Sequence, residues 1–179
     1  MRKIDLLLLF FVIAVGAAFL RPGGAPPPPV SVSVTPSTTA SGKWEVLPCR
    51  YELANLKLGM TGAQVEATRG IAAEKRQENA ETSIWTYRGD GAELHLTLLD
   101  GRLISVNGSG RWSLTEEGQS RPGFLATEAQ VRAAFGEPQR REHQSQWVYN
   151  PRPSELQLQF NEGRVTNMYI TTEIKSRPL

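Results

Sequence analysis

The sequence TGAQVEATRG at residues 61–70 recurs as TEAQVRAAFG at residues 127–136, with Thr, Gln, Val and Gly at the same four places. A second block of matches follows each stretch: Trp85, Tyr87, Leu94, Leu96, Gly101 and Arg102 recur as Trp147, Tyr149, Leu156, Leu158, Gly163 and Arg164. Each copy of an internal repeat is expected to be one supersecondary unit that buries its apolar face against its neighbour. The sequence therefore predicts two similar units with a shared interior.

Both opening stretches carry the signals of short helices. Thr61 with Gln64, and Thr127 with Gln130, form T-x-x-Q capping boxes, in which a hydroxyl and an amide satisfy backbone donors at a helix N-terminus. The final glycine of each stretch stands where a left-handed residue ends a helix. We therefore expect two helices of roughly nine residues.

The apolar stripes of the two predicted helices differ. In the second helix Val131, Ala134 and Phe135 lie at i, i+3 and i+4, whereas the last of these places holds Arg69 in the first helix. The first helix therefore packs less apolar surface. Arg69 is expected at an edge or against an acidic partner.

Three strands are predicted after each helix. Their ranges are 83–87, 92–99 and 102–106 in the first copy, and 146–149, 154–160 and 164–171 in the second. Strict alternation leaves one apolar face on each sheet and one polar face, and Asp-Gly or Asn-Glu-Gly turns precede the last strands. The predicted fold class is α+β: two tandem repeats, each a short helix followed by a three-stranded antiparallel meander, packed as a two-layer domain.

The N-terminal 42 residues have a different character. Arg2 and Lys3 precede an uncharged apolar run at 6–20, which is the layout of an export signal. That run is long for a cleavable signal and short for a spanning helix. We favour an uncleaved signal anchor at 1–20, and a cleaved signal peptide with secretion is the alternative.

Residues 21–42 form a Pro/Ser/Thr-rich linker, a composition that favours extended polyproline geometry. The first repeat, with its lead-in segment and the inter-repeat loop, then occupies 43–118, and the second repeat occupies 119–179. In this organisation the globular part faces the periplasm or the cell exterior, held at the inner membrane.

Charge excludes one class of partner. The net charge of +2 belongs to the N-terminal segment, where Arg2, Lys3 and Arg21 outnumber Asp5, so the globular part is neutral. It lacks the basic patch of a nucleic-acid binder. No nucleic-acid partner is predicted.

Residues for catalysis and metal binding are scarce. His95 and His143 are the only histidines and Cys49 is the only thiol, and their spacing forms no nucleophile–base pair and no set of metal ligands. We predict no enzymatic activity, no cofactor and no metal site. Cys49 is expected to be buried, the alternative being a free thiol that pairs with another chain.

Five aromatic residues are the candidate partner-binding residues. Residues i and i+2 of a strand share a face, so Trp85 with Tyr87, and Trp147 with Tyr149, would each form an aromatic stripe that anchors a partner. The alternative is that these rings pack under the helix of their own repeat. Trp112 lies in the polar connection between the repeats, where an exposed aromatic residue is a contact candidate and packing at the repeat interface is the alternative.

One set of motifs in the first repeat is typical of a known module: Leu58-Gly59-Met60-Thr61, Gln64-Val65, Gly70, the Trp-x-Tyr strand and Asp100-Gly101-Arg102. In these residues the chain resembles the SmpA/OmlA module, which is found in the small lipoprotein subunit of the outer-membrane β-barrel assembly machinery. The tandem arrangement is similar to that of the β-lactamase inhibitory proteins. Together these resemblances imply an α+β domain of the bacterial envelope that binds other proteins.

Three functions are consistent with these observations. The first is a non-enzymatic, membrane-tethered module that holds another envelope protein, within an assembly or maintenance complex. The second is a hydrolase inhibitor of the β-lactamase-inhibitory type. The third is an envelope ligand-binding or sensory domain that recognises peptidoglycan or a small molecule.

Overall fold

A computed structural model of the chain describes residues 43–143, 145–150 and 152–176. Within these ranges 54% of residues lie in strands and 12% in helices, so the protein is mostly β. The predicted anchor and linker fall outside the described residues. In the part that is described, neither helix has the length and hydropathy needed to cross a membrane.

The described residues form fourteen strands and two helices. In chain order these are β1 (Trp44–Val46), β2 (Tyr51–Leu53), β3 (Leu56–Lys57), α1 (Gly62–Arg69), β4 (Glu74–Gln77), β5 (Thr82–Gly89), β6 (Ala92–Leu99), β7 (Arg102–Ser109), β8 (Leu114–Glu116), β9 (Gln119–Arg121), α2 (Glu128–Phe135), β10 (Arg140–Glu142), β11 (Gln146–Tyr149), β12 (Ser154–Asn161), β13 (Arg164–Thr172) and β14 (Ile174–Ser176).

Eight of these strands form one antiparallel sheet in the order β10-β11-β12-β13-β7-β6-β5-β4. Its centre is the pair of β7 with β13, in which Asn107 lies opposite Tyr169 and Val106 opposite Ile170. A four-stranded sheet has the order β3-β2-β8-β9, and β1 pairs with β14. The main sheet is therefore continuous across both halves of the sequence.

This topology shows that the predicted fold class is wrong. The protein is not an α+β tandem of three-stranded meanders in two layers, because β7 and β13 pair edge to edge and merge both sets of strands into one sheet. Each set also has a fourth strand, β4 or β10, that the sequence analysis missed. Both are short and mostly exposed, so they lack the apolar alternation that identifies a half-buried strand.

The helices, by contrast, begin and end as predicted. Gln64 N donates to Thr61 Oγ1 at 3.3 Å while Thr61 N donates to Gln64 Oε1 at 2.8 Å, which completes the capping box of α1. Thr127 and Gln130 repeat both hydrogen bonds in α2. The glycine after each helix has a positive φ, 81° in one case and 77° in the other, with ψ of −166° and −160°, an extended conformation open to glycine rather than the left-handed helical one.

The hydrophobic core lies between the main sheet and a cover made by the helices and the small sheet. The Phe135 ring of α2 lies 6.4 Å from the Tyr51 ring of β2 and 5.3 Å from the Tyr149 ring of β11, so it links all three elements. Leu53 and Leu114 of the small sheet are fully buried in the same cluster. The hairpin β8-β9 occupies the stretch that the sequence analysis treated as a loop.

The predicted alternation of buried apolar and more exposed polar residues along β6 and β12 is confirmed. Leu94, Leu96 and Leu98 of β6 are completely buried, whereas His95 between them is exposed. Cys49, expected inside, is buried as well, at 5% exposure. The main sheet thus has one face on the core and one polar outer face.

Candidate binding groove

Three of the five candidate aromatic residues are buried. Tyr87, Trp147 and Tyr149 have exposures of 6%, 1% and 2%. The Tyr87 hydroxyl donates to the Gly70 carbonyl and the Tyr149 hydroxyl to the Gly136 carbonyl, each at 3.2 Å, so both phenols bond to the residue that ends their own helix. These three side chains therefore lie in the interior next to their own helices and form no exposed aromatic stripe.

Trp85 is half-buried beside the start of α1. A Cβ placed on Gly62 would lie 2.7 Å from Trp85 Cη2, which shows how closely the ring edge approaches the helix backbone. The Lys75 ammonium lies 3.9 Å from the ring centroid. Helix and lysine thus cover much of this ring, and a contact of Trp85 with a partner stays a prediction.

Trp112 is half-buried and fixed in place by hydrogen bonds. Its indole Nε1 donates to the Ser109 carbonyl at 2.9 Å and to the Glu93 carbonyl at 3.1 Å. A Cβ placed on Gly108 would lie 2.9 Å from Trp112 Cδ1, so the ring packs against β7 where that strand has no side chain. The guanidinium carbon of Arg69 lies 4.7 Å from the ring centroid.

Trp112 forms one wall of a cavity of about 680 Å³ between the end of α1 and the β5-β6 turn. Arg69, Arg88, Arg111 and Asp90 also line this cavity. Tyr87 also lines this cavity. Burial is the main cause that raises the pKa of its phenol, and the Glu66 carboxylate raises it further, so the hydroxyl keeps its proton.

The three arginines of this cavity differ in their partners. Arg88 forms ion pairs with Glu93 at 2.7 Å and with Glu74 at 3.5 Å. The hydrogen bond from Arg88 is the main cause that lowers the pKa of the Glu93 carboxyl. Arg69 and Arg111 make no ion pair within the described ranges, and the buried Nε of Arg69 has no hydrogen-bond acceptor there. The cavity therefore holds two positive charges that the described part of the chain leaves uncompensated by direct pairing.

Two further cavities continue from this one. A cavity of about 370 Å³ shares Arg111 and Trp112 with the first and extends to Phe124 and Leu125. A third, of about 640 Å³, shares Phe124 and Leu125 and is lined by the small residues Ala133 and Ala134 of α2. We call the three together the groove, with a basic end at Arg69 and Arg111 and an apolar end at Leu125.

Each end of the groove has one exposed large hydrophobic side chain. Ile71, at the basic end, is 87% exposed, and Leu125, at the apolar end, is 45% exposed. Within the described residues no other large hydrophobic side chain is exposed. Both exposed side chains therefore belong to the lining of the groove.

Sequence reasoning missed most of the groove. Trp112 was a candidate, but Ile71, Arg111 and Leu125 were not, because no periodicity or motif marks them. Arg69 had a signal, since it replaces the apolar residue that α2 has at the corresponding place. It lies over Trp112 rather than against an acidic side chain.

The described residues offer little for catalysis or metal binding. No three His, Cys, Asp or Glu side chains in these ranges are grouped as metal ligands. Burial raises the pKa of the Cys49 thiol, which disfavours the nucleophilic thiolate. What the groove offers is hydrogen-bond donors, positive charge and apolar surface.

Among solved structures, two extracellular or secretory proteins are similar to this chain in fold. The chain is similar to a cysteine-rich secretory protein from Staphylococcus aureus, with a TM-score of 0.53, 10% identity, and coverage of 72% of this chain and 51% of the other. It is also similar to an extracellular protein containing an SCP domain from Bacillus anthracis, with a TM-score of 0.50, 10% identity, and coverage of 68% and 50%. The chain thus spans about half the length of each, and at such identity the likeness concerns the fold alone.

A candidate β-lactamase inhibitor protein from Streptococcus mutans also matches. Its TM-score is 0.31 at 18% identity, with coverage of 63% of this chain and 83% of the other, which is too distant to support an argument about function. No family model and no curated protein matches the sequence.

Proposed function

We propose that this chain is a non-enzymatic protein-binding module of the cell envelope, tethered by its N-terminal segment and facing the periplasm or the exterior. The observation that carries the proposal is the groove, whose lining includes Ile71, Trp112, Leu125 and two arginines that have no ion-pair partner in the described ranges. The export signal predicted at 1–20 and the resemblance to SmpA/OmlA modules support the envelope setting.

The shape and residue types of the groove favour a polypeptide over a small molecule. Three adjoining cavities make an extended site, whereas a small ligand is usually enclosed in a single one. Tryptophan and arginine are the residue types enriched at protein–protein hot spots, and here Arg69 lies over Trp112 inside the site. The proposed partner is therefore a segment of another envelope protein lying along the groove.

Site-specific photocrosslinking in bacterial cells tests this proposal. The full chain would carry a photoreactive amino acid at Ile71, at Leu125, or at the control position His95, which is exposed on the outer face of the main sheet. We expect both groove positions to yield an adduct with the same envelope protein and His95 to yield none. Absence of an adduct from both groove positions under several growth conditions would overturn the proposal, as would equal labelling from His95.

The identity of the captured protein separates this function from the inhibitor alternative. If it is a hydrolase, its activity would be measured with increasing amounts of the chain. Loss of activity that follows occupancy of the groove would make the chain an inhibitor, whereas unchanged activity supports a module that only holds its partner.

A further inference from the structure

We infer that the basic end of the groove binds a carboxylate, so that the partner is a protein segment with an acidic residue beside apolar ones. This inference rests on the proposed function, because it names the chemistry of the partner for the same groove. It follows from three features: the charges of the basic end, the placement of Arg69, and the apolar continuation of the site.

The charge at the basic end is only partly compensated by the chain. Arg88 is held by Glu93, and Asp90 is the one acidic side chain that lines the cavity. Arg69 and Arg111 have no ion-pair partner in the described ranges. An acidic group entering the cavity would therefore meet two free guanidinium groups and a single opposing carboxylate.

Arg69 is placed to receive such a group. Its guanidinium lies over the Trp112 ring, which is itself fixed by two hydrogen bonds to backbone carbonyls. A guanidinium held in this way loses less conformational freedom when it binds the two oxygens of a carboxylate as a fork. The buried Nε without an acceptor shows that the described part of the chain does not satisfy this side chain on its own.

The apolar continuation favours a protein segment over a free anion. A small anion would use only the basic end, whereas Leu125 and the alanines of α2 offer contacts to side chains that follow along a polypeptide. The chain's own linker does not fit, because residues 21–42 contain no Asp or Glu. The carboxylate is therefore assigned to a segment of another protein, and a second copy of the chain is the competing outcome of the test.

Selection from a phage-displayed library of random 12-residue peptides on the purified full chain tests the inference. We expect enrichment of sequences that combine Asp or Glu with Leu, Ile or Val. The strongest peptide and its Glu→Gln counterpart would then be compared by fluorescence anisotropy, with the amide version at least tenfold weaker.

Variants of the chain provide the matched comparison. Arg111→Gln and Arg69→Gln should weaken the acidic peptide by about tenfold each, whereas Asp90→Asn should strengthen it. Arg152→Gln changes the net charge by the same amount at an exposed position outside the groove and should have little effect. Arg111 is exposed and makes no ion pair among the described residues, so its replacement removes no such contact from the fold and serves as the check on Arg69→Gln.

The failures of the two proposals are distinguishable. Equal binding of the acidic and amide peptides, no enrichment at all, or an equal effect of Arg152→Gln and Arg111→Gln would overturn the carboxylate inference while crosslinks from Ile71 and Leu125 still upheld protein binding. A dimer of the chain that Arg111→Gln dissociates would assign the groove to a second copy and would also overturn it.

Discussion

Replacement of Gly108 by alanine tests how tightly the wall of the groove is packed. Gly108 lies in β7, opposite Leu94 of β6 and Met168 of β13. An added Cβ would lie 2.9 Å from Trp112 Cδ1, 3.0 Å from Leu94 Cδ2 and 3.2 Å from Leu53 Cδ2, all closer than ordinary van der Waals contact. The backbone φ lies outside the left-handed region, so no backbone strain adds to the cost of packing.

The expected loss of stability follows from these distances. Leu94 and Leu53 are completely buried and have no space to move into, so the methyl group must displace Trp112 toward the cavity. Overpacking of this kind costs about 1–3 kcal/mol. Alanine has less conformational entropy than glycine in the unfolded chain, which offsets about 0.4–1 kcal/mol of this loss of stability. We expect Gly108→Ala to lower the free energy of unfolding by up to about 2.6 kcal/mol.

Gly89→Ala is the matched control. A Cβ at Gly89 would have no heavy atom within 4 Å, and its φ is also outside the left-handed region. The same entropic gain without a clash should leave stability unchanged or raise it by up to about 1 kcal/mol. Urea unfolding of both variants and the wild type, followed by circular dichroism, gives the comparison. If the two variants differed by less than about 0.5 kcal/mol, the packing argument would be refuted.

Alkaline pH, thiol access and a buried carboxylate give three more measurements. Burial raises the pKa of Tyr149 to about 12 from 10, so its contribution to stability is fully present below pH 10 and is lost as the pH rises toward 12. Because burial also raises the pKa of Tyr51 and Tyr87, the free energy of unfolding should fall across this range in urea titrations of the wild type. The fall should be less steep in Tyr149→Phe by up to about 1.4 kcal/mol per pH unit, and equal slopes in the two proteins would contradict this. Cys49 is buried, and burial raises the pKa of its thiol. A thiol reagent should therefore label Cys49 only after unfolding, and rapid labelling of the native protein would contradict its burial. Glu116 is buried and is bonded by Arg50 and Arg121 at 2.8 Å each. Because both arginines are partly exposed, Glu116→Gln should lower the free energy of unfolding by about 1.5–3 kcal/mol in a urea titration. An effect no larger than that of the exposed neighbour variant Glu117→Gln would refute a structural role.

Local features of the fold could be predicted because short-range chemistry determines them. The T-x-x-Q boxes and the terminal glycines specify helix ends through hydrogen bonds made within four residues, and the structure has all of them. Alternation over eight residues in β6 and β12 likewise identifies the buried face of each strand, since the side-chain period of a strand is two.

The fold class could not be predicted because it depends on pairing between distant segments. Strands β7 and β13 bring Asn107 beside Tyr169, and alternation says which face of a strand is buried but not which neighbour it pairs with. The hairpin β8-β9 has only three residues in each strand, too few for a periodic signal. In the structure its turn is formed by Glu117 and Gly118, both at positive φ.

The burial of the aromatic candidates has a similar cause. In a strand, the Trp-x-Tyr spacing gives both rings the same face, but it does not say whether that face meets a helix or a partner. The hydroxyls of Tyr87 and Tyr149 find acceptors at the glycine carbonyls that end the helices, which removes the need for water. A tyrosine hydroxyl that reaches such a carbonyl can donate its hydrogen bond inside the protein, so the ring can be buried.

One difference between the two helices accounts for where the groove begins. At corresponding places, α2 has Phe135, whose ring fills the space between Tyr51 and Tyr149, and α1 has Arg69, whose guanidinium cannot be buried there without a partner. Arg69 turns instead to Trp112 and leaves a cavity of about 680 Å³ beside it. The second half of the sequence therefore closes its core with an aromatic ring, while the first half keeps an open, positively charged site at the same position of its helix.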